Sequence, residues 1–569
     1  MKKYQGIGAS AGIGIGTVRK IRELQLPPAR AHAEDPDEEL SRFRASCEGY
    51  KREMEDAARS VRENVGRKGA EIVRGQLLLL NDPELMADIE RRITEGSSAE
   101  SAVADVCDRY IRIFCGMEDE VTSQRADDVR DCRRGLLRRL LGVKETDLSD
   151  LPEGSIVAAA DLTPSQAGQF RRGRVAGIVT ESGGRTSHLA IMARALEIPA
   201  VLSAKGILED LREGEQLIVD GGRGLVIADP AETDLEAYAS EQKAEQERRA
   251  RLEQFRGKLS VSADGYPFHV HANIGTVEDA ERAVAADAEG IGLLRTEFLF
   301  LGREDLPGEE EQFEAYRKIA LRLGGRILTV RTLDAGGDKE IPGLKMRAEE
   351  NPFLGNRAIR YCLGHEGFFK VQLRAILRAG VYGRLRILLP MVSCVEEVRR
   401  VRELLGRCME ELRAEGREFD AQIPVGVMME TPSAAMIADL LAAEADFFSI
   451  GTNDLTGYIM SADRGNPEVS CLNSVCQPAV LRAIRQILNA ATEAGIPVGM
   501  CGEAAADERM IPLLMAMGLK EFSVDPSAVL QTRGRIAEVF LPEAEKLMQR
   551  TFAGITEREI AEILSSEGD

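Results

Sequence analysis

His188 lies in the stretch GGRTSHLAIMARALE, directly after a double-glycine turn and at the start of a segment with helical periodicity. Thr186 and Ser187 precede it, and both are good N-cap residues for a helix that begins there. A phosphoryl group carried on the imidazole would meet backbone N–H groups and the positive end of that helix. Gly183 and Gly184 allow close backbone approach. The pattern predicts a phosphate-accepting histidine.

The other four histidines lie in settings that do not indicate chemistry. His32 lies in an apparent linker, and His365 lies in a turn flanked by glycine. His269 and His271 alternate along one apolar run, so each of them could face either a core or a cavity. We interpret all four as structural residues.

A second set of polar residues falls where eight short apolar runs end, from about Lys258 onward. The runs are FHVHANI, GIGLLRT, RILTVRT, RILLPMV, VGVMMET, FFSIGTN, VGMCGE and EFSVD. Eight such units in about 300 residues predict a (β/α)₈ barrel, in which catalytic residues lie at the carboxyl ends of the strands. The polar residues at those ends are Arg295, Arg331, Glu430, Asn453 with Asp454, and Cys501 with Glu503.

Three of the basic residues in this region suit an anion. Arg295 and Arg331 end adjacent strands and Arg464 follows strand six, so their forked guanidinium groups could grip a phosphate. Glu430 and Asp454, from strands five and six, form a pair of hard oxygen ligands that suits Mg²⁺ once a phosphate and waters complete an octahedron. We expect the metal to bind together with its substrate.

Cys501 would lie at the mouth of strand seven, where a thiol can exchange a proton with a substrate carbon. The segments RTLDAGGDK and NPFLGNRAIR add Lys339 and Arg357 to the basic side of the same mouth. Either of these two residues could instead be a surface charge. Alternatively, the charged residues at these strand ends could form a structural salt-bridge network that has no role in catalysis.

The composition excludes some classes of partner. The chain has 569 residues with 74 Lys and Arg against 94 Asp and Glu, a net charge of −20, which disfavours nucleic acid and anionic membranes. No apolar run reaches about 18 residues, and the Met-Lys-Lys start leads into a glycine-rich strand, so we expect a cytoplasmic protein without a signal peptide. Ten scattered cysteines predict reduced thiols.

The chain is long enough for several cores, and its patterns divide it into four regions. The opening GIGASAGIGIGTVRKI predicts strand, turn and strand, which would pair with the short β runs after residue 150. The intervening segment has helical periodicity in four stretches, which predicts an inserted antiparallel bundle. The predicted regions are an α/β phosphohistidine domain (1–20 and 144–229), a helical bundle (21–143), a charged helical linker (230–257) and the barrel (258–569).

The chain resembles the phosphoenolpyruvate-protein phosphotransferase family, Enzyme I of the bacterial sugar phosphotransferase system. The resemblance runs from residue 6 to about 509, in the family order. The segments that carry it are GIGASAGIGIG, DLTPSQAGQF, GGRTSHLAIMARALEIPAV, GLLRTEFLF, RTLDAGGDK, NPFLGNRAIR, GVMMETPSAA, FFSIGTNDLTGYIMSADRGN and GMCGEAAAD.

The resemblance implies a multidomain α/β protein in which a phosphohistidine domain with an inserted helical bundle precedes a TIM barrel. The bundle would dock the histidine-containing carrier protein HPr, and the barrel would dimerise and bind phosphoenolpyruvate. The histidine domain would move between substrate and acceptor, with the charged connector as the hinge. Which sugar is finally transported depends on proteins downstream of the carrier.

The resemblance also assigns roles to individual residues. His188 would be the phosphorylated nucleophile, and Cys501 would protonate the enolate at its methylene carbon. The substrate contacts would be Arg295, Arg331, Arg464 and Asn453. Glu430 and Asp454 would ligate Mg²⁺.

Four places depart from the family pattern. Ala11 replaces a usual proline, Gly457 a usual glutamine, and Gln477 a usual histidine. In the bundle, Arg74 and Gln76 stand within VRGQLLLLNDPEL, where an acidic residue and a histidine are common. Arg74 would repel a basic partner surface, so the carrier could be HPr or a divergent HPr-like protein.

Three alternatives to this interpretation can be compared with the sequence. Pyruvate phosphate dikinases and phosphoenolpyruvate synthases share the histidine domain and barrel but add a nucleotide-binding domain, and no region here is long enough for one. A non-transferring phosphoenolpyruvate sensor would be expected to lack His188 or Cys501, and both are present. An Enzyme I paralogue that serves a regulatory carrier would be expected to carry an extra N-terminal sensory domain.

Overall fold

The computed structural model describes residues 1–21, 32–64, 67–115, 120–143, 148–170, 173–185, 187–337, 341–347, 349–464, 466 and 468–566. Two of the residues singled out in the sequence, Thr186 and Lys339, lie outside the described residues. The chain divides into two compact units, Met1–Arg248 and Arg249–Asp569. Each unit is described by itself.

The first unit contains an eight-stranded sheet. Its strands are β1 (Lys2–Gln5), β2 (Ile7–Ser10), β3 (Ile13–Ile21), β4 (Ser155–Ala159), β5 (Val175–Thr180), β6 (Ala200–Leu202), β7 (Gln216–Asp220) and β8 (Leu225–Ala228). The strand order is β1-β8-β7-β3-β4-β5-β6-β2. Strand β3 pairs in parallel with β4 and antiparallel with β7, so the start of the chain completes the sheet formed after residue 150, as predicted.

Among the described residues, five helices are inserted between β3 and β4. They are α1 (Pro36–Asn64), α2 (Arg67–Leu79), α3 (Pro83–Thr94), α4 (Ala99–Cys115) and α5 (Glu120–Leu140). The prediction of four helical stretches was therefore wrong by one. Helix α3 begins as a separate helix because the Asp82 carboxylate accepts the N–H groups of Glu84 and Leu85, with Pro83 in the first turn. The apolar faces of the helices meet in a buried core that includes Phe43, Ile89, Val103 and Leu136.

Four further helices follow the strands of the first sheet: α6 (Pro164–Ala167), α7 (His188–Leu196), α8 (Ile207–Asp210) and α9 (Glu232–Glu253). Helix α9 covers most of the segment predicted to be a charged helical connector. None of its side chains is buried, which agrees with a charge run that faces solvent.

The second unit contains a closed barrel of eight parallel strands. The strands are β9 (His269–Ile274), β10 (Gly290–Leu294), β11 (Ile327–Arg331), β12 (Arg384–Leu389), β13 (Val425–Met429), β14 (Phe447–Ile450), β15 (Val498–Met500) and β16 (Glu521–Val524). They coincide with the eight apolar runs of the sequence, and β16 closes on β9. The predicted fold class, an α/β multidomain protein with an inserted helical bundle and a TIM barrel, is confirmed.

The helices of the second unit follow the strands along the chain. They are α10 (Val277–Ala285), α11 (Glu309–Leu323), α12 (Ile359–Gly364), α13 (Glu366–Ala379), α14 (Val395–Ala414), α15 (Pro432–Met436), α16 (Ala438–Ala442), α17 (Thr452–Met460), α18 (Pro478–Ala494), α19 (Met510–Ala516), α20 (Val529–Glu538), α21 (Leu541–Ala553) and α22 (Glu557–Ser565). Within the described ranges, no helix has the length and apolar character needed to cross a bilayer. The cysteines whose side chains are described are free thiols.

Candidate active site

A cleft of about 900 Å³ opens at the carboxyl ends of the barrel strands. Its lining includes five residues that the sequence singled out: Arg295, Asn453, Arg464, Cys501 and Glu503. Because Arg295 directly follows β10 and Cys501 directly follows β15, the barrel itself fixes their positions. The Arg295 side chain is exposed, so its guanidinium is accessible to an anion.

Arg331, the last residue of β11, is 4% exposed and lies among carboxylates. It forms an ion pair with Glu297, and its Nη1 lies 3.3 Å from Oδ2 of Asp334. Burial disfavours the charged guanidinium, but the carboxylates, with Glu297 first among them, raise the pKa of Arg331 above its ordinary value. Arg331 is therefore a fixed cation behind the cleft, whereas Arg295 and Arg464 line the cleft itself.

Arg357 extends this buried network. Its Nη2 donates to both carboxylate oxygens of Asp334, at 3.0 and 3.2 Å, and its Nη1 donates to Oη of Tyr458 at 3.1 Å. The same Nη2 lies 3.9 Å from Oδ2 of Asp454. Arg357 is 2% exposed, so it is not the surface charge that the sequence left open.

Glu430 follows β13 and is almost fully buried. Its Oε1 accepts the N–H of Met391 at 2.7 Å, and Met391 has a left-handed backbone conformation with φ 58°. Its Oε2 is buried and has no hydrogen-bond partner among the described residues. Burial, followed by the nearby carboxylates of Asp454 and Asp334, raises the pKa of Glu430 to about 8.

The surroundings of Glu430 fit a cation. An unpaired buried carboxylate oxygen with a half-exposed carboxylate at Asp454 is a sparse oxygen donor set, which suits Mg²⁺ when other ligands come from substrate and water. Within the described ranges, no group of three or more His, Cys, Asp or Glu side chains is arranged to hold a metal by itself. The protein side of a metal site here would consist of these two carboxylates.

Cys501 is 4% exposed and packs against the inner wall of the barrel. Its Sγ accepts a hydrogen bond from Oγ of Ser449 at 3.3 Å. Burial raises the pKa of the Cys501 thiol above its ordinary value, although the Ser449 hydrogen bond and the positive charges of Arg331 and Arg295 act in the opposite direction. The group is therefore a thiol that carries its proton, as an acid must.

Asn453 and Arg464 both lie close to the side chain of Glu503. The side chain of Asn453 donates to Oε1 of Glu503 at 3.0 Å, and its Oδ1 accepts the N–H of Glu503 at 3.1 Å. Arg464 Nη1 lies 4.0 Å from the same Oε1. Since Arg464 and Glu503 are both exposed, this ion pair is weak and an anion could replace the carboxylate.

In the first unit, His188 is the first residue of α7. The N-cap of this helix is Ser187, whose Oγ accepts the N–H of Ala190 at 3.3 Å, as the sequence predicted. The His188 side chain is 20% exposed, and its Nδ1 lies 3.8 Å from Oδ1 of Asp128 on α5. Gly183 has a φ of 103°, a conformation that favours glycine, in the turn before the helix.

Of the other four histidines, two make side-chain contacts, His271 is buried and His32 is exposed. Nδ1 of His365 lies 2.9 Å from the carbonyl oxygen of Tyr361, and Nδ1 of His269 lies 2.9 Å from Oε2 of Glu289. His271 is buried, which lowers its pKa to about 4.

Three models of phosphoenolpyruvate-utilising enzymes match the chain. The PEP-utilising N-terminal model matches residues 5–125, the mobile-domain model 151–224 and the PEP-binding-domain model 249–540. The phosphoenolpyruvate-protein phosphotransferase of Priestia megaterium is 43% identical over 566 residues, with 99% of each chain covered. The chain belongs to the phosphoenolpyruvate-protein phosphotransferase family.

Other members of the family are similarly close. The phosphoenolpyruvate-protein phosphotransferase of Bacillus subtilis is 41% identical, with 98% of each chain covered. A solution NMR structure of Enzyme I is 36% identical and covers 43% of this chain and 99% of its own, with a TM-score of 0.38. The family models and the two full-length relatives confirm the family resemblance carried by the sequence motifs, and the protein is an enzyme of phosphoenolpyruvate-dependent phosphoryl transfer.

The departures from the phosphotransferase pattern lie at positions with different exposure. Arg74 is exposed on α2, and Ala11 is exposed in the turn before β3. Gln477 is the N-cap of α18 but makes no capping hydrogen bond through its side chain. Gly457 lies within α17, and a Cβ added there would meet its nearest atom at 3.5 Å, so the helix has room for a side chain. The side chain of Gln76 is outside the described part of the structure.

The sequence did not identify four residues that contact Arg331 or Cys501. Glu297 and Asp334 pair with Arg331, Ser449 contacts Cys501, and Asn273 donates from its side chain to the Cys501 carbonyl at 3.1 Å. Asp334 lies within the RTLDAGGDK motif, which is a signal that could have been used. Glu297 and Ser449 likewise lie within the GLLRTEFLF and FFSIGTNDLTGYIMSADRGN motifs, whereas Asn273 lies inside an apolar strand, where only the folded barrel reveals its neighbours.

Proposed function

We propose that this chain transfers the phosphoryl group of phosphoenolpyruvate to its own His188 and then to the carrier protein HPr, or to a divergent HPr-like carrier. This would be the first step of the sugar phosphotransferase system. The observation that carries the proposal is the position of His188 at the first residue of α7, with Ser187 as the N-cap, in a chain of this family. A phosphoryl group there benefits from the positive helix end.

The nucleophilic atom of His188 would be Nε2. Its Nδ1 faces the Asp128 carboxylate at 3.8 Å, and a carboxylate on that side favours the tautomer with the proton on Nδ1. The lone pair of Nε2 then attacks phosphorus, and the bond between phosphorus and the enol oxygen breaks. Because the transition state of such transfers is loose, the protein acts mainly by aligning the groups and neutralising their charge.

Substrate binding would use the charged side chains of the cleft. Arg295 and Arg464 would bind the phosphoryl and carboxylate groups and Asn453 would add a hydrogen bond, while Arg331 contributes positive charge from behind. Glu430 and Asp454 would hold Mg²⁺. When bound, this ion supplies positive charge that offsets the phosphate oxygens.

Cys501 would give the proton that converts the released enolate to pyruvate. The electron pair of the enolate forms a bond from the methylene carbon to the thiol proton, and the S–H bond breaks to leave a thiolate. Solvent returns the proton later. Trapping the product as a keto acid favours transfer in the forward direction.

The acceptor would dock on the helical bundle, and the protein would act as a cytoplasmic homodimer formed through the barrel, as the family resemblance implies. Thr186, Lys339 and Arg357 are proposed as supporting residues. For Arg357 the support is its contact with Asp334 and its proximity to Asp454. A non-transferring sensor would bind the same substrate without labelling His188, so labelling separates the two functions.

The experiment mixes the purified full chain with phosphoenolpyruvate labelled in the phosphoryl group and with Mg²⁺. We expect label that is stable in base, labile in acid and absent from His188→Ala. The matched control is His32→Ala, which removes an exposed histidine outside the proposed site and should label normally. Wild-type protein that consumes no donor would contradict the proposal, and added HPr that leaves the label in place would contradict the assignment of the carrier.

A further inference from the structure

Ser449 lies next to Cys501, the proposed proton donor. It is on β14, which pairs with β15 so that Ser449 is opposite Gly499, two residues before Cys501. The serine side chain is 5% exposed, and its Oγ donates to Sγ of Cys501 at 3.3 Å. Strand pairing therefore fixes the separation between this hydroxyl and the thiol.

Apolar side chains also pack around the thiol, while the charges of Arg331, Arg295 and Glu430 are near enough to influence it. Cys501 packs in a small buried cluster with Leu293, Leu388, Met428 and Phe447. Within the described part of the chain, the polar groups that contact Sγ are Oγ of Ser449 and the carbonyl oxygen of Ile450, the latter at 3.7 Å. The thiol can thus donate towards Ile450 while it accepts from Ser449.

The backbone of Cys501 is held separately from its side chain. Its N–H donates to the carbonyl of Ile450 at 3.1 Å, and its carbonyl accepts from the Asn273 side chain at 3.1 Å. Loss of the Ser449 hydroxyl would therefore leave these two main-chain hydrogen bonds of Cys501 in place. The Ser449 hydroxyl therefore affects the position of Sγ rather than the position of the main chain.

We propose that Ser449 is a positioning residue for Cys501, which holds the thiol in one orientation and stabilises the thiolate left after proton donation. This inference rests on the proposed function. In the step, the thiol proton bonds to the methylene carbon of the enolate and the S–H electron pair stays on sulfur. The Ser449 O–H then donates to a full negative charge, and hydrogen bonds to charged acceptors are stronger than those to neutral ones. The Ser449 hydrogen bond therefore stabilises the thiolate formed by proton transfer more than it stabilises the thiol before transfer.

The test follows phosphoryl transfer and carbon protonation separately. The probe is the (Z)-3-methyl analogue of phosphoenolpyruvate in D₂O, whose product, 2-oxobutyrate, is reduced at once by a dehydrogenase to 2-hydroxybutyrate. NMR of the two diastereomers reports which face of the carbon received deuterium. Wild-type protein should give mainly one configuration, because the thiol approaches one face.

In Ser449→Ala we expect the product to approach an equal mixture of configurations and its formation to slow by about tenfold. Single-turnover labelling of His188 should slow much less. Ser449→Thr keeps the hydroxyl and should restore the preference, and Ser449→Cys, a weaker donor of similar size, should fall between. Ser262→Ala is the control, because Ser262 is a buried serine before β9 whose Oγ contacts Asp264 instead.

Unchanged configuration in Ser449→Ala would overturn the inference, as would an equal mixture from the wild-type protein. A loss of His188 labelling as large as the loss of configuration would also overturn it, since it would indicate a general structural role. A wild-type protein that never labels His188 is a different result, because it contradicts the proposed function first.

Discussion

Nδ1 of His188 lies 3.8 Å from Oδ1 of Asp128, although the two residues are 60 positions apart in the sequence. Asp128 belongs to α5 of the helical bundle and His188 begins α7 beside the sheet. The two side chains are only 20% and 19% exposed, so the contact is partly shielded from water. The bundle therefore contributes a carboxylate to the surroundings of the proposed nucleophile.

Replacing Asp128 by Asn should slow phosphorylation of His188. Without the carboxylate, the tautomer with a free Nε2 lone pair loses its preference, and we expect roughly tenfold slower transfer. Rapid-quench labelling measures the rate, and ¹⁵N NMR of the imidazole measures the tautomer. Asp131→Asn on the same helix is the control. Equal rates in the wild type and Asp128→Asn would contradict a role for this contact.

The barrel was predictable because each strand is a short apolar run, and several of the candidate residues directly follow one of these runs. Period and position alone placed Arg295, Glu430 and Cys501 at strand ends. Strand β1 and strand β8 were not predicted, since KKYQ and LVIA are short and carry no turn chemistry of their own.

The partners of the site residues were harder to predict than the site residues. Asp128 contacts His188 only because a long insertion folds back on the sheet. Arg331 looks in the sequence like an accessible clamp, whereas packing buries it against Glu297 and Asp334. Such contacts depend on tertiary structure, which local patterns do not encode.

Glu430→Gln should have opposite effects on metal binding and on the stability of the metal-free protein. Burial raises the pKa of Glu430 to about 8, so at pH 7 this carboxyl must take up a proton on folding, and its Oε2 has no hydrogen-bond partner within the described ranges. Glutamine needs no such proton and should raise the melting temperature of the metal-free protein at pH 7. The same change should abolish the rise in melting temperature that Mg²⁺ with phosphoenolpyruvate produces in the wild type. Scanning calorimetry with and without both ligands measures both effects. Glu444→Gln, which changes an exposed surface ion pair, is the control. A ligand-induced rise that persists in Glu430→Gln would contradict the metal assignment.

The stability of the barrel should fall in mild acid because of His271. Burial lowers its pKa from 6.5 to about 4; Glu521 and Glu289 oppose the shift, whereas Arg386 and His269 reinforce it. The folded state therefore binds fewer protons than the unfolded state between these values. The stabilisation is complete above pH 6.5 and is lost as the pH falls towards 4, by on the order of 3 kcal/mol.

The measurement for His271 is hydrogen-exchange protection of β9 and β16 in the full chain at pH 7.5, 6 and 5, corrected for intrinsic exchange. His271→Asn should lose less protection over this range than the wild type. His365→Asn alters a histidine that is not among the charged groups around His271, and its loss of protection with falling pH should equal that of the wild type. Identical pH dependence in His271→Asn and wild-type protein would exclude His271 as the source.

Two glycines near the cleft should respond in opposite ways to alanine. At Gly502, a Cβ would lie 1.8 Å from Oγ1 and 2.6 Å from the backbone nitrogen of Thr452, so Gly502→Ala must displace the start of α17 and should cost several-fold in activity. At Gly457 the nearest atom is 3.5 Å from the added Cβ, and alanine should stabilise α17 by about 0.5–1 kcal/mol. Denaturant unfolding and the labelling rate measure the two effects. A destabilised Gly457→Ala would contradict the structure of this helix.

Arg74 should set the preference among carrier proteins. It is exposed on α2 of the bundle, one helical turn before Leu78, whose side chain is 73% exposed. An exposed cation beside an apolar side chain disfavours a basic docking surface and favours one with a carboxylate. Arg74→Glu should therefore speed transfer from phosphorylated His188 to a basic HPr, mainly through faster association and with a stronger dependence on ionic strength. Arg62→Glu, an exposed change of the same charge on α1, is the control for net charge. If both variants accelerate transfer equally, the effect belongs to the overall charge of the bundle and Arg74 does not select the carrier.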